Sequence, residues 1–287
     1  MTSIETANYN SYMIVYEKDQ QRKDNYITIK NITNCQKFSA IDTLNEYDKY
    51  VKFALENNYT NQSFIKNTRH LKGKLGCNLS HQLLLKEILM KSSTEWNLIL
   101  EDDVVIKDYD VEKLKYLIKK ATENKSHYIH LYSHKNFIER QMKTKKIDEN
   151  LYELIPQFGT VAYLINKTGI KKIIEKPVCG YIDCVITQMK ELNSLCFINK
   201  IFKTGGSTDN WDKNSKFGSL LWNIPAAEKA VEDIYMKSKT QCNMKDIWKK
   251  NSKLGSLLMN IPAKKAVEDI HLKSKTQCNM KDILIFK

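Results

Sequence analysis

No stretch of the 287 residues is apolar for long enough to span a bilayer, and no apolar segment follows a basic start at the amino terminus. Those two absences argue against a helical membrane protein and set the expectation of a cytoplasmic one. The seven cysteines are odd in number and include no CxxC pair. They argue against a disulfide framework and for reduced thiols, with Cys77 and Cys196 in contexts that favour burial. Aromatics make up only 10% of the chain, and stretches such as Tyr47-Asp48-Lys49-Tyr50 come with no nucleic-acid-binding motif, so no nucleic-acid partner is expected. His127, His130 and His134 do not make a metal cluster, because on a strand the first two face opposite ways and the third falls past its end. Gly205-Gly206-Ser207 is too short and too late for a phosphate loop. It reads as the end of a domain or, second, as a hinge for a loop closing over substrate.

What the chain does have is Leu98-Ile99-Leu100-Glu101-Asp102-Asp103-Val104-Val105. Three consecutive carboxylates interrupt a run that otherwise reads as a buried strand, and packing supplies no reason for them. Like charges this close persist where a cation or polar ligand offsets them. Hard oxygen donors suit Mg²⁺ or Mn²⁺ bridged to phosphates better than zinc. Alternation along a strand places Glu101 and Asp103 on one face and Asp102 on the other, the arrangement of a metal-and-nucleotide site at the carboxyl end of a strand. The bland alternative is a strand running into a solvated acidic turn.

Upstream, Gly73-Lys74-Leu75-Gly76-Cys77-Asn78-Leu79-Ser80-His81-Gln82 reads as a glycine turn feeding a helix from about residue 78, with Asn78 or Ser80 as cap and backbone N–H groups free for a phosphate. Strands are expected near 11–16, 35–41, 96–101, 127–132, 158–165 and 195–202, and helices near 78–91, 110–124, 167–175 and 181–193. In the second of these helices Val111, Leu114, Leu117 and Ile118 share a face. The alternation predicts an α/β sandwich on a mostly parallel sheet.

Taken in order, "GKLGCNLSH" and "LILEDDVVI" resemble glycosyltransferase family 25, the bacterial lipooligosaccharide galactosyltransferases and the procollagen galactosyltransferases. Phe38-Ser39-Ala40-Ile41-Asp42, residues 127–132, residues 159–174 and Tyr181-Ile182-Asp183 resemble further segments of that family in the same order, so the likeness covers roughly residues 11–205. Departures are a first strand that keeps only Arg22 of the family's basic end, Lys74 where an acid is usual, and Tyr181 in place of a proline. The resemblance implies a GT-A-type nucleotide-sugar-binding domain. It also implies inverting, metal-dependent transfer of a sugar, galactose from UDP-galactose first, to a lipooligosaccharide or other surface glycan. A procollagen-type hydroxylysine acceptor, or a non-catalytic glycan- or anionic-surface-binding relative, is the alternative. On that resemblance Glu101 and Asp103 are the expected ligands of Mn²⁺ or Mg²⁺. Asp183 is the expected base, against a helix-capping role. Asp42, Asp102 and His81 are expected on the donor side. The alternatives are a turn-forming Asp42, an Asp102 that braces its turn, and a structural His81.

The formal charge of +13 is concentrated late in the chain, where residues 214–287 hold fourteen lysines against seven acids. The same region is duplicated: residues 214–225 (NSKFGSLLWNIP) return as 251–262 (NSKLGSLLMNIP), and residues 231–247 return as 267–283, a period of 37 slipping to 36. Two copies fall short of the three or more a solenoid needs. Residues 1–10 are expected to be a frayed start, 11–206 the catalytic domain, and 207–287 a basic helical extension. That extension either packs loosely as a solvated appendage or rests on an anionic membrane, which would place the protein at the inner face of a membrane.

Overall fold

Strand β1 (Tyr9–Val15) carries Tyr12 and Ile14 on one face and Met13 and Val15 on the other, and all four are buried. A strand apolar on both sides must be covered on both sides. The computed structural model describes residues 8–67, 71–133, 135–198 and 201–204; His134, the 205–207 turn and the duplicated tail 207–287 lie outside the described residues, as do the first seven.

β1 lies between β2 (Gln36–Ser39) and β3 (Trp96–Glu101), parallel to each. Beyond β3 the sheet continues through β8 (Ala162–Asn166), β5 (Tyr128–His130), β9 (Leu195–Phe197), β7 (Leu151–Glu153) and β6 (Lys146–Asp148). Six strands run one way, while β8 and β7 run against them, so the sheet is mostly parallel in direction but mixed in pairing. A separate antiparallel pair joins β4 (Val104–Ile106) to β10 (Phe202–Thr204).

One face of the sheet is packed by α1 (Gln20–Thr33) and α5 (Val111–Glu123), through Ile29, Leu114, Leu117, Ile118 and Ala121. Val111, expected on that buried face, is 41% exposed at the helix start. The other face is packed by α4 (Leu71–Lys91), α7 (Lys167–Ile174) and α8 (Ile182–Gln188), through Leu84, Leu85, Ile88, Ile170, Ile173, Ile182 and Ile186. A small third cluster joins α2 (Tyr47–Glu56), α3 (Gln62–Asn67) and the start of α4 around Ala54, Phe64, Leu75 and Leu79. The helix expected over 181–193 is α8 followed by a 3-10 turn at Lys190–Leu192. The short helix α6 (Lys135–Gln141) precedes the β6–β7 hairpin.

The glycine turn expected at 73–76 is not a turn. Both glycines lie within α4, which begins at Leu71, so no helix N-terminus opens at residue 78 toward a phosphate. Gly76 is there for close packing: a Cβ on it would stand 2.7 Å from the carbonyl oxygen of Ile41 and 2.9 Å from Thr43 Oγ1. Alanine is the better helix former by about 1 kcal/mol. The obstructing atom is backbone, however, and overpacking of this kind costs about 1–3 kcal/mol. Gly76→Ala is therefore expected to lower the urea midpoint, against the direction of helix propensity.

Candidate active site

Alternation along β3 puts Glu101 on the same face as Ile99, under α4, and sends the chain into a turn at Asp102-Asp103 before β4. The strand ends at Glu101, so the expected alternation does not extend to Asp103. On the α4 side His81, 1% exposed, approaches Glu101 Oε1 with Nε2 at 3.1 Å and the Tyr163 hydroxyl with Nδ1 at 2.9 Å. Thr160 donates its hydroxyl to the same carboxylate oxygen. Burial pushes the Glu101 carboxyl up, but the bonds from His81 and Thr160 and the charge of Arg22 outweigh it and hold the group below its ordinary value. An ionised carboxylate only accepts, so His81 Nε2 is the donor to Glu101. The chain of Tyr163, His81 and Glu101 fixes the orientation of the acid. His81 is thus engaged at both nitrogens inside α4.

Asp102 turns to the opposite side. One carboxylate oxygen is paired with the Arg22 guanidinium from the first turn of α1, and the other accepts the N–H of Tyr16 at 2.6 Å. At 4% exposure the residue braces the end of β1 against the acidic turn, and Asn25 Nδ2 ties the same turn through the Asp102 and Val104 carbonyls, each at 2.9 Å. Burial dominates Asp102 and raises it despite Arg22 and the Tyr16 N–H. Arg22 feels Asp103 as well as Asp102, so its cation borders the acidic turn.

Asp183 stands in the first turn of α8 without occupying the N-cap, which is Tyr181. Its Oδ2 accepts the Gly159 N–H at 3.0 Å and its Oδ1 the Cys184 N–H at 2.7 Å. Burial pushes it up, the two N–H bonds oppose that, and the Glu101 charge adds to the rise. Gly159 adopts φ +92°, open to glycine and strained for other residues, and a Cβ there would stand 3.0 Å from the Tyr132 ring. α4 holds the chain leading to Asp183: Asn78 donates to the Gly180 carbonyl at 2.6 Å and accepts the Ile182 N–H at 3.0 Å. Beside it the buried Lys74 donates to the Tyr181 hydroxyl and lies 4.2 Å from that ring's centroid. Burial pushes Lys74 down to about 8, with the Asp183 charge opposing.

Asp42 is engaged away from this cluster. It accepts the Leu44 N–H and the Asn45 amide, both at 2.9 Å, and pairs with Lys18, which holds it below its usual value.

The donor set divides on chemistry. Cys77, His81 and Glu101 place ligand atoms within 4.8 Å of one another. The Cys77 thiol is driven well above its normal range by burial and then by Glu101, Asp183, Asp103 and Asp102, and both His81 nitrogens are already engaged in hydrogen bonds. What the arrangement does offer is acids: Glu101, Asp183 and Asp103 all act by charge on the Cys77 thiol, with Asp102 a smaller influence from the Arg22 side. An ionised Glu101 with Asp103 next to it fits a hard divalent cation.

Thr160, Tyr163 and Gly159 are the residues that motif reading left without roles, and Asn78, read only as a helix cap, instead lies inside α4, although all four lie in the segments quoted for the family resemblance. The signal available for Gly159 was a glycine before an apolar strand. Nothing local marks the partners of His81.

A family model described as glycosyltransferase family 25 (LPS biosynthesis protein) matches residues 8–185, a span that contains every residue of this site. The chain belongs to that family and is a glycosyltransferase. No curated protein matches it. Among solved structures it is similar to A197 from STIV, at 11% identity over 66% of this chain and 81% of that one with a TM-score of 0.37. It is also similar to mouse xyloside xylosyltransferase 1 in its apo form, at 10% identity over 64% and 82% of the two chains with a TM-score of 0.31. Among the described residues no helix is long and apolar enough to cross a membrane.

Proposed function

We infer that this glycosyltransferase is of the GT-A type and moves a sugar from a nucleoside diphosphate donor, UDP-galactose first, to a hydroxyl of a lipooligosaccharide or similar surface glycan with inversion. The observation that carries the reading is Glu101, held ionised at the carboxyl end of β3 by His81 and Thr160, with Asp103 in the turn that follows and Asp183 near enough to feel its charge. Glu101 and Asp103 would hold Mn²⁺ or Mg²⁺, which when bound offsets charge on the diphosphate leaving group. Asp183, raised by burial, is a stronger base than a solvated aspartate and is assigned the acceptor proton. Gly159 N–H and the Asn78 clamp aim it. The nucleoside is assigned to the ends of β1 and β2, where Asp42 and Lys18 stand. The reading places the chain in the cytoplasm, with the basic tail meeting an anionic membrane from its inner side.

The test is release of UDP from a panel of UDP-sugars, with Mn²⁺ and with chelator, for the unaltered chain and Asp103→Asn. Metal-dependent turnover favouring one donor and reduced by about 10²-fold or more in the variant is expected. Absence of metal-linked binding by every nucleotide sugar tried would sink the reading.

A further inference from the structure

At the end of β1 remote from Glu101 lies a cavity of about 370 Å³, walled by the start of β1, the turn from α1 into β2, and the entry to α5. Tyr16, at the far end of β1, bonds Asp102, whereas Tyr9 lines this cavity. Seven residues of strand therefore separate the two places by roughly 20 Å.

The lining has a definite chemistry. Carboxamides come from Asn8, Asn10, Asn34 and Gln36, that of Asn10 donating to Ser92 Oγ at 3.0 Å, and phenol rings from Tyr9 and Tyr109, whose hydroxyls are 2.9 Å apart. Ile32 and Val111, 45% and 41% exposed, stand among the lining residues as solvent-facing aliphatic surface. Among the described residues no acid lines the cavity, and the one cation that does, Lys115, is held by Glu112 at 2.8 Å. A carboxamide both donates and accepts, which matches a hydroxyl that does the same, and vicinal hydroxyls can engage both ends of one amide. Aromatic and aliphatic walls suit the C–H faces of a sugar ring. An anion finds no free cation here, and a wholly apolar ligand would strand the amides. The volume is at the small end for a ligand site, the size of one or two sugar rings.

We propose that this cavity is a second saccharide site, remote from the transfer centre, that holds a neutral mono- or disaccharide portion of the glycan acceptor. The choice of a saccharide among polyols rests on the glycosyltransferase reading; the existence of the site does not rest on the metal, the donor or the base.

The experiment is an amide and side-chain NMR titration of the full chain with glucose, galactose, N-acetylglucosamine and lactose in turn, with myo-inositol as the non-saccharide polyol. At least one sugar is expected to give saturable shifts at Asn10, Asn34 and Gln36, to exceed inositol, and to do so equally in Asp103→Asn. Gln36→Ala and Ile32→Ser, both at exposed positions, are each expected to weaken it about fivefold, the worth of one hydrogen bond or a small apolar contact. The proposal is overturned if none of the four sugars shifts these residues, if inositol does as well, or if the shifts persist unchanged in both variants. Sugar shifts confined to the Glu101 end would overturn it while leaving the transferase standing. Failure of every donor with this binding intact would remove the transferase reading and leave the site.

Discussion

Asp183→Asn is expected to lower kcat by about 10²–10⁴-fold, the usual worth of a positioned general base, while donor affinity stays near that of the unaltered chain. The substitution separates two uses of the residue. Asparagine keeps a carbonyl oxygen to accept the Gly159 N–H, so a residue that only anchors that turn would survive it nearly intact. A residue that must take a proton would not. The pH profile supplies a second, independent reading. A base works only when ionised, and burial together with Glu101 holds Asp183 above the ordinary aspartate value. The acid limb of kcat is therefore expected at higher pH than for a solvated aspartate, with rate lost as pH falls through it. Lys74, at about 8, is still largely cationic near neutrality, and its charge favours the ionised form of its neighbour. Lys74→Met removes that help and is expected to move the acid limb to still higher pH. An unmoved limb in Lys74→Met together with an active Asp183→Asn would take the base role away from Asp183.

The parts of this molecule that could be read from sequence are those whose cause is local. β3 was legible because a continuous apolar run has few other uses, and the buried face of α5 because Leu114, Leu117 and Ile118 recur at helical spacing. α1 escaped because only Ile29 and Thr33 of its fourteen residues are buried, which leaves no stripe to see. α4 was cut short for the opposite reason. It is packed on two sides, by Leu75 and Leu79 toward α2 and by Leu84, Leu85 and Ile88 toward the sheet, and its glycines look like a turn. A glycine needed for left-handed backbone and one needed for close approach are the same letter; only the Ile41 carbonyl, thirty-five residues away, distinguishes Gly76 as the second kind. The site divides similarly. Its acids stand out in the sequence because a strand end has no packing use for them. The donors that orient Glu101 come from α4 and from the approach to β8, and they meet only through the sheet order.

Asp102→Ala is expected to be the most destabilising change at the site, because it removes the closer partner of Arg22, which keeps Asp19 at 3.9 Å, together with the acceptor of the Tyr16 N–H. Breaking a buried pair from one side costs about 3–5 kcal/mol, since the surviving charge stays in a poor solvent. The lower end applies here, as the Arg22 side chain is 24% exposed and can recover some water. The double substitution with Arg22→Ala leaves no stranded charge, so it should cost clearly less than the two single changes added together, a coupling that urea unfolding of the four proteins would measure. The same set decides what Asp102 does for function. As a brace it holds the turn that carries Asp103, so donor and metal affinity should fall along with stability in both single variants, Arg22→Ala included. As a direct donor contact it should lose donor affinity in Asp102→Asn at little cost in stability, with Arg22→Ala much milder. The geometry favours the brace: one carboxylate oxygen is bonded to Arg22 of α1 and the other to the backbone at the end of β1, so Asp102 ties both elements to the acidic turn.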